Sequence, residues 1–425
     1  MSSVLQNFTA AEPTSAETLN SSRHLETAGS KSAVNGVVIH YHEIALKLGN
    51  RRFFEQQLRR NILRATNKLG IKEVMRLSGR LLGLLALNAD WGKIAAALEK
   101  IFGIAYFAPA VKLQQDLAEI KAVALQLLAG KNFASFKVET KRSQKHFPLT
   151  SPQINTEVGE HIRNHFPARV DLTQPELTLR LEIVDNYALM YTDRLEGPGG
   201  LPVGTSDRAV CLISGGIDSP VAAYKMMKRG VKLIFVHFHS APFTSPASQR
   251  NVERLVELLN THQFRSKLYL VPFAEIQQHI VAHAPPSYRV ILYRRAMIRL
   301  AEMIAAQHHA HALVTGENVA QVASQTLVNM NVINQAATLA VLRPLAGDDK
   351  QEIIAMARRL GTFDISTEPF EDCCSLFVPS HPETRAKLPV VQELEAKLNL
   401  KPLLEHAVEK AVQKEFKFSS AANSP

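Results

Sequence analysis

The pattern of apolar positions divides the chain into an N-terminal half with mixed helix and strand signals and a C-terminal half in which the two alternate. In the first half, apolar residues at helical spacing predict helices in residues 51–70, 91–101, 117–128 and 151–165, with short apolar runs between them as strands. In the second half, the apolar run Val231–Phe238 is typical of a parallel strand that is covered on both faces. Further strands are predicted at Ala209–Ile213, Lys267–Phe273, His311–Gly316 and Thr338–Leu345, and helices at Tyr288–Ala306 and Lys350–Leu360.

This alternation predicts a doubly wound α/β domain in the C-terminal half, preceded by α+β structure. The string GPGGLPVGTS (Gly197–Ser206) has the composition of a linker, so the main boundary is expected there. Ligands of doubly wound sheets bind at the carboxyl ends of the strands. The glycine-rich turn after Ala209–Ile213, His237 and Phe238 at the end of the second strand and Gly316 at the end of another are therefore expected to converge on one crevice. The predicted divisions are a disordered leader (1–33), an α+β region (34–194), the linker (195–206), the α/β domain (207–410) and a tail (411–425).

Composition and charge narrow the class of protein. No apolar run is long enough to span a bilayer, and residues 1–35 lack the apolar core of a signal peptide. The three cysteines, Cys211, Cys373 and Cys374, cannot form a disulfide framework and fit a reducing cytoplasm. The formal net charge of +10 indicates a polyanionic partner, although part of it belongs to solvated faces.

The most informative motif is AVCLISGGIDSPVAAYK (Ala209–Lys225), which reads as a buried strand, a glycine-rich turn and a helix. Pro220 suits the first helical turn, because the N–H that it lacks would have no partner there. The two glycines and the start of the helix form a natural seat for phosphate. The spacing is neither that of a Walker A loop nor that of the dinucleotide-binding Gly-x-Gly-x-x-Gly motif.

Two basic stretches lie in the N-terminal half. Residues 51–70 carry Arg51 and Arg52 among a series of basic residues with Glu55 as the one acid, which favours a polyanion-facing surface over a merely solvated helix face. The second stretch is a strand followed by a basic loop with Phe147 beside it, a composition suited to phosphate contact, although Phe147 itself fits the core better. Its basic residues are Lys137, Lys141, Arg142, Lys145 and His146.

The motif Ser-Gly-Gly-Ile-Asp-Ser (Ser214–Ser219) resembles the PP-loop of the ATP pyrophosphatases, which split ATP to AMP and pyrophosphate. Strings from about residue 37 to 390 resemble, in order, those of the tRNA 4-thiouridine synthetase (tRNA sulfurtransferase) family. They include EIALKLGNRR, FGIAYFAPA, FKVETKRSQKHFPLTS, GPGGLPVGTS, CLISGGIDSPVA, VHFHSAPFTS, TGENVAQVASQTL, LRPLAGDDKQEI and EPFEDCCSLFVPSHP. Leu48 and Asn318 are mild departures, and the chain resembles the short form of the family without a rhodanese domain.

The resemblance implies a ferredoxin-like domain (34–88), a THUMP RNA-binding domain (89–194) and a PP-loop domain (207–410). It implies a cytoplasmic transferase that uses ATP and Mg²⁺ to adenylate a uridine carbonyl of tRNA and then inserts sulfur. A cysteine desulfurase is the implied sulfur donor. Homodimerisation and a second role in thiamine thiazole synthesis, through a sulfur carrier protein, are further properties of family members.

The resemblance also assigns the nucleotide site. The phosphates are expected at the PP-loop residues Ser214, Gly215, Gly216 and Ser219, and the remaining contacts at Leu212, Ile213, His237, Phe238, Arg294, Gly316 and Gln325. Lys350 is expected to stabilise charge that develops on the phosphates. Asp218 is expected to hold Mg²⁺ or to cap the following helix. His237 and His239 are interpreted as polar residues at a strand end, and no metal site is predicted for them.

The cysteine pair is expected to transfer sulfur in the second step of the reaction. Cys211 lies in a buried strand and fits the core, whereas Cys373 and Cys374 fall where the family has its catalytic cysteine. A disulfide between neighbouring cysteines would close a strained ring. Cys373 is favoured because it follows Glu371-Asp372, but the choice between the two stays open.

Two other classes share some of these features. An amidating PP-loop ligase, such as NAD or GMP synthetase, also adenylates a carbonyl oxygen, but the sequence has no glutaminase signature and would leave the cysteine pair without a role. A THUMP protein without catalysis would not need the complete loop with Asp218.

Overall fold

Two β-sheets organise the part of the chain that the computed structural model describes, which is residues 34–144, 146–369 and 381–418. The predicted leader and Lys145 lie outside these residues. The first sheet belongs to the N-terminal half and the second to the C-terminal half. Among the described helices, none combines the length and the apolar character that a membrane span requires.

The N-terminal half is a mixed α+β structure on one continuous sheet. Its strands follow the order β2-β3-β1-β4-β8-β7-β5-β6, with β9 paired to β4. In chain order the elements are β1 (Gly36–His40), α1 (Arg51–Ala65), β2 (Ile71–Leu77), β3 (Arg80–Leu85), α2 (Trp91–Leu98), β4 (Tyr106–Gln114), α3 (Leu117–Leu128), β5 (Ser135–Arg142), α4 (Ser151–Arg163), β6 (Arg169–Val170), β7 (Leu177–Val184), β8 (Tyr187–Tyr191) and β9 (Leu195–Glu196).

Strand β4 connects two parts of this sheet. Its first half pairs with β1, from Tyr106 opposite His40 to Ala110 opposite Gly36, and its second half pairs with β8, from Val111 onwards. The elements β1-α1-β2-β3-α2-β4 therefore form a βαββαβ unit, which is the ferredoxin-like topology. The division that the sequence places after residue 88 falls inside this unit, because an exposed loop at that point reads as a boundary although α2 and β4 return to the same sheet.

The C-terminal half is the predicted doubly wound domain. In chain order its elements are β10 (Arg208–Leu212), α5 (Asp218–Lys228), β11 (Lys232–His239), α6 (Ala247–Gln263), β12 (Arg265–Pro272), α7 (Ala274–His283), α8 (Arg289–Gln307), β13 (Ala312–Val314), α9 (Leu327–Asn334), β14 (Ala340–Leu342), α10 (Lys350–Leu360), α11 (Phe363–Thr367), α12 (Leu388–Leu398), α13 (Lys401–Glu409) and β15 (Val412–Lys417). The strand order is β14-β13-β10-β11-β12-β15, and all pairs except β12–β15 are parallel.

The order of the strands reverses at β10. The chain runs from β10 to β11 and β12 on one side, and β13 and β14 lie on the other side. Helices cover both faces: α5, α6 and α10 pack on one, and α7, α8, α9, α12 and α13 on the other. Such a reversal opens a crevice outside the carboxyl ends of the two central strands, where ligands of this fold bind. The loop after β10 and the loop after β13 border that crevice.

Two local predictions are wrong. The expected tail from residue 411 contains β15, which pairs with β12 as an antiparallel edge strand. Because an edge strand pairs along one side only and stays exposed, its residues are too polar to indicate a strand from the sequence. The strand expected over Thr338–Leu345 is shorter than predicted, because Arg343 turns away to pair with Glu317 and Pro344 has no N–H to continue the ladder.

The predicted linker is an ordered part of the contact between the two halves. Leu201, Pro202 and Val203 are buried, and the N–H of Leu201 donates to the carbonyl of Lys228 at the end of α5 (2.9 Å). Gly200 has a φ of +75°, and a Cβ at this position would lie 2.2 Å from the same carbonyl oxygen. The glycines therefore permit close backbone contact here, not free motion.

His262 is buried at this contact between the halves. It lies on α6, stacks on Phe102 of the N-terminal half (5.1 Å between ring centroids), and its Nδ1–H donates to the carbonyl of Lys100 (2.8 Å). Burial lowers the pKa of His262 to about 4, although the hydrogen bond to Lys100 acts in the opposite direction. The neutral form is therefore part of the folded structure.

Acidification is expected to destabilise the folded chain through His262. Because the unfolded state takes up the proton near the ordinary pKa of 6.5 and the folded state only near 4, this stability is complete above about pH 6.5 and is lost as the pH falls towards 4. A difference of this size corresponds to about 3 kcal/mol. Urea unfolding of the wild type and His262→Phe at both ends of this range should show a weaker acid dependence in the variant. Equal acid dependence in the two proteins would contradict this role.

Candidate functional site: the crevice at the PP-loop

The PP-loop leaves the sheet at the carboxyl end of β10 and closes on itself. The N–H of Ile213 still donates to the carbonyl of Val236 in β11 (2.9 Å), after which the chain turns. The N–H of Ser214 donates to Oγ of Ser219 (2.9 Å), and this hydroxyl donates back to the carbonyl of Ser214 (3.2 Å). The N–H of Gly216 donates to Oγ of Ser214 (3.3 Å). These bonds hold the loop over the first turn of α5, where backbone N–H groups and the helix dipole favour an anion.

Gly316, which follows β13, closes the crevice from the other side. A Cβ at this position would lie 2.7 Å from the N atom and 2.8 Å from the Cα atom of Ser219, which are backbone atoms that cannot move aside. Glycine is therefore required by the close approach of the two loops. The contact confirms that the ends of β10 and β13 meet, as the order of the strands predicts.

Asp218 and Lys350, which the sequence assigns to catalysis, form an ion pair across the crevice. Oδ1 of Asp218 accepts from Nζ of Lys350 (2.5 Å), and Oδ2 accepts from Nε2 of Gln321 (3.0 Å). The carboxylate is 22% exposed and the ammonium 42%, so both remain accessible to a ligand. Helix α5 has no side-chain cap at its N-cap residue, Ile217, so capping is not what occupies the carboxylate of Asp218.

Lys350 reaches this position because α10 begins with it. The preceding residue, Asp349, caps the helix by accepting from the N–H of Gln351 (2.7 Å), and Glu352 completes a capping box with the N–H of Asp349 (3.2 Å). This signal fixes the first residue of the helix. Helix α10 therefore begins at Lys350, and this places the lysine at the crevice.

His237 supports the PP-loop from below. Its Nδ1–H donates to the carbonyl of Ile213 (3.0 Å), its Nε2 accepts from Oγ of Ser248 (2.8 Å), and the residue is 1% exposed. Burial lowers the pKa of the neighbouring His239 to about 4. Phe238 and Ile213 are buried as well, whereas Leu212 is half-buried. His237 therefore holds the backbone at the start of the PP-loop from inside the domain, and its side chain is not exposed to a ligand.

The remaining predicted nucleotide residues belong to the loop after β13 or contact it. Gln325 is buried in a short 3₁₀ turn, and its carbonyl accepts from the N–H of Ala320 (2.9 Å). Arg294, on α8, pairs with Glu317 (2.9 Å), the residue after Gly316. The crevice thus contains three residues that sequence reasoning missed, namely Gln321, Glu317 and Arg343. For Glu317 and Arg343, the sequence offered a signal, because each is a charged residue shortly after the carboxyl end of a strand.

The cysteine pair, Cys373 and Cys374, lies outside the described residues, but the chain on its C-terminal side is described. The carbonyl of Thr384 accepts from Oγ1 of Thr326 (2.8 Å), and the carbonyl of Glu383 accepts from Nδ2 of Asn329 (2.7 Å). Both partners belong to the start of α9, directly after Gln325. The segment that follows the cysteines is therefore attached beside the loop that covers the PP-loop.

Cys211 differs from this pair. It is fully buried in β10, and burial raises the pKa of its thiol to about 12. A thiol with this pKa stays protonated at neutral pH, so it is not a nucleophile. Its predicted place in the core is confirmed.

The predicted basic residues of the N-terminal half divide into exposed and anchored side chains. Arg52 and Lys141 are exposed, and Lys137 is half-buried on the same strand as Lys141, β5. The guanidinium of Arg51 instead donates to the carbonyl of Ala45 (2.6 Å), and that of Arg142 to the carbonyl of Phe147 (3.2 Å). Phe147 is buried, as its core interpretation predicts.

His40 in β1 is mostly buried beside this surface, and its Nε2 lies 3.1 Å from Oε1 of Glu182, which also pairs with Arg80. Burial is the main reason why the pKa of His40 falls to about 3, and the charges of Arg80 and Lys141 lower it further. Because Arg80 is buried and paired with Glu182, the exposed cations Arg52 and Lys141 are the better candidates for contact with a polyanion.

Comparison with known proteins agrees with this architecture. Residues 36–108 match the ThiI ferredoxin-like domain, residues 114–193 the THUMP domain and residues 204–400 the thiamine biosynthesis protein (ThiI) family. These matches put the first boundary between residues 108 and 114, later than the sequence-based boundary at 88.

Relatives match over nearly the whole chain. A probable tRNA sulfurtransferase of Thermus thermophilus is 46% identical over 86% of this chain and 89% of its own length, and one of Moorella thermoacetica is 43% identical over 88% and 95%. A crystal structure of a 4-thiouridine synthetase–RNA complex with bound ATP has 37% identity and a TM-score of 0.82 and covers 90% of this chain and 100% of that chain. The predicted fold class is confirmed, and the chain belongs to the tRNA sulfurtransferase family.

Proposed function

We propose that the protein transfers sulfur to a uridine of tRNA in an ATP-dependent reaction that forms 4-thiouridine. The observation that carries the proposal is the crevice itself, in which the PP-loop, Gly316 and the Asp218–Lys350 pair meet at the carboxyl ends of β10 and β13. The solved relative with bound RNA and ATP, which aligns along its entire length, supports the same chemistry.

The first half of the reaction activates the base. Backbone N–H groups of the PP-loop hold the phosphates of ATP, and Lys350 exchanges Asp218 for a phosphate oxygen. The O4 atom of uracil attacks the α-phosphorus, the bond to the bridging oxygen breaks, and pyrophosphate leaves with the electron pair. The N3 proton of the base passes to water in this step. Charge that develops on the phosphates is stabilised by Lys350 and Arg294. The base then carries AMP as a leaving group at C4.

Mg²⁺ fits this site as part of the proposal. Asp218 offers a carboxylate beside the PP-loop, and Mg²⁺ is commonly held by one or two carboxylates together with substrate phosphates. The ion would neutralise phosphate charge when bound. The carboxylate is available for it once Lys350 has moved to the phosphate.

The second half delivers sulfur. In this proposal one cysteine of the pair Cys373–Cys374 receives the terminal sulfur of a persulfide from a cysteine desulfurase. That sulfur attacks C4 and AMP leaves, which joins the cysteine to the base through an S–S bond. A thiol of an external reductant then attacks the cysteine sulfur, 4-thiouridine leaves with the electron pair, and a second thiol reduces the mixed disulfide that remains on the cysteine. The position of Glu383 and Thr384 beside α9 supports access of this segment to the crevice. The proposal extends to a cytoplasmic location and to a homodimer. It also includes transfer of sulfur to a sulfur carrier protein of thiamine thiazole synthesis.

The proposal is tested with purified protein, unmodified tRNA, ATP and a persulfide donor. Release of pyrophosphate that depends on tRNA, together with 4-thiouridine in nucleoside mass spectrometry, is the expected result. Stimulation by ammonium and nicotinate adenine dinucleotide in place of tRNA would favour an amidating ligase. Binding of tRNA without pyrophosphate release would favour a protein that only binds RNA.

The exposed cations of the N-terminal half are expected to contact tRNA phosphates. The double variant Arg52→Ala/Lys141→Ala should bind tRNA more weakly, and the slope of log K against log salt should become less steep by about 0.7 to 0.9 for each phosphate that the variant no longer neutralises. Filter binding at several salt concentrations measures this slope. Lys401→Ala, at an 83% exposed lysine of α13, is the matched control. An unchanged slope in the double variant would reject this surface as the binding site.

A further inference from the structure

Glu317 is a buried carboxylate at the edge of the crevice that the reaction described above does not use. It follows Gly316 and is 4% exposed. Oε1 accepts from Nη1 of Arg294 (2.9 Å), and Oε2 accepts from Nε of Arg343 (2.7 Å) and from Oγ1 of Thr315 (3.1 Å). One carboxylate therefore binds two guanidinium groups from different elements, α8 and the end of β14.

The charge balance of this cluster explains why it is stable. Burial of Glu317 opposes its ionisation, but the charges of Arg294 and Arg343 and the bonds from Arg343 and Thr315 outweigh this effect, so that its pKa lies below the ordinary value. A single arginine would leave a neutral pair, whereas the two arginines leave one net positive charge. A buried carboxylate without such partners would be costly.

The two arginines differ in exposure. The side chain of Arg343 is 13% exposed, and besides Glu317 it donates through Nη1 to Oδ1 of Asn334 (3.1 Å) and to the carbonyl of Val341 (3.4 Å). The side chain of Arg294 is 25% exposed. Arg343 is thus the more buried cation of the cluster, and Arg294 is the more accessible one.

The cluster lies beside the phosphate-binding backbone. Gly316, the neighbour of Glu317, approaches the backbone of Ser219 so closely that a Cβ would lie 2.7 Å from its N atom. The carboxylate is therefore attached, one residue away, to a close backbone contact of the crevice. A guanidinium that is oriented by this carboxylate has a defined position relative to the PP-loop.

We propose that Glu317 is a positioning residue that holds Arg294 against the phosphates of ATP, with Arg343 as the fixed counter-cation that keeps the carboxylate in place. The inference rests on the proposed function, because it assigns Arg294 a role towards ATP. Glu317 does not touch the nucleotide in this arrangement. It removes rotational freedom from Arg294 before ATP binds, and such preorganisation increases affinity.

A double-mutant cycle tests this arrangement. Binding of α,β-methylene-ATP with Mg²⁺ is measured by calorimetry for the wild type, Arg294→Ala, Glu317→Gln and the combined variant. We expect each single variant to bind about 10-fold more weakly and the combined variant to bind no more weakly than Arg294→Ala, because Glu317 acts through Arg294. Multiplication of the two effects, to about 100-fold, would overturn the proposal, as would wild-type affinity in Glu317→Gln.

Two further variants separate positioning from folding. Glu393→Gln removes the carboxylate of an exposed ion pair with Lys397 on α12 and should bind the analogue like the wild type. Arg343→Lys keeps a positive charge beside Glu317, whereas Arg343→Met removes it. We therefore expect Arg343→Lys to bind the ATP analogue more tightly than Arg343→Met. Equal weakening in both Arg343 variants would contradict the counter-cation role. If the wild type binds the analogue but forms no 4-thiouridine, the proposed function is refuted. The double-mutant cycle still tests the positioning role of Glu317, because it measures binding alone.

Discussion

Replacement of Asp218 by asparagine is expected to abolish tRNA-dependent pyrophosphate release, with a loss of about 1,000-fold or more. The substitution keeps the size of the side chain but removes the charge that pairs with Lys350 at 2.5 Å and that would hold Mg²⁺. Lys350 then lacks the partner that orients it before ATP binds. Pyrophosphate release is measured at saturating ATP and tRNA, and loss of both pyrophosphate and 4-thiouridine is expected.

The neighbouring carboxylate Asp348 provides the matched control. It pairs with Lys225 on the same helix, α5, but does not contact Asp218 or Lys350 in the described structure. Asp348→Asn should therefore change stability more than adenylation, which we expect to stay within about threefold of the wild type. An Asp218→Asn protein that retains a tenth of the wild-type rate would contradict the role of Asp218.

Replacement of both cysteines, in the variant Cys373→Ser/Cys374→Ser, is expected to remove 4-thiouridine formation while leaving pyrophosphate release intact. A hydroxyl cannot carry a persulfide, so the activated base would form and then hydrolyse or persist. We expect the product to fall below detection, by about 1,000-fold or more, and the single variants to identify the sulfur carrier. The two products are measured in the same reaction by pyrophosphate assay and nucleoside mass spectrometry.

Cys211→Ser is the control for this experiment. Because the thiol at position 211 is fully buried in β10, the variant should lose stability and keep sulfur transfer per folded molecule. Normal thiolation by the double serine variant at positions 373 and 374 would show that sulfur reaches the base by another route. Loss of pyrophosphate release in that variant would show that the cysteines also support adenylation.

Local signals in the chain were sufficient to predict the PP-loop, the strands around it and the helix that starts at Lys350. The strand–turn–helix of residues 209–225 and the helix over Lys350–Leu360 depend on neighbours in sequence, and both are present as expected. The pairing of Asp218 with Lys350 joins residues 132 positions apart, so no local pattern could show it. The same holds for Glu317, whose isolated carboxylate has meaning only once α8 and β14 bring their arginines to it.

Composition was a poor guide where tertiary packing decides the structure. The glycine-rich string before β10 reads as flexible, yet Gly200 is needed because the backbone of Lys228 lies against it. Residues 412–417 are too polar to indicate a strand, but β12 offers them an open edge. Exposed strands of this kind are stabilised by backbone hydrogen bonds, which leave no hydrophobic signature.

The contact between the two halves has a consequence for how the enzyme can be dissected. Phe102 packs in one apolar cluster with Val221 and Tyr224 of α5, and Phe264 and Leu201 belong to the cluster beneath α1. A catalytic fragment cut free at the glycines would present Val221 and the aromatic ring of Tyr224 to water on the helix that follows the PP-loop. Chimeras between relatives therefore need to exchange both sides of this contact together, because each half has apolar side chains that the other half covers.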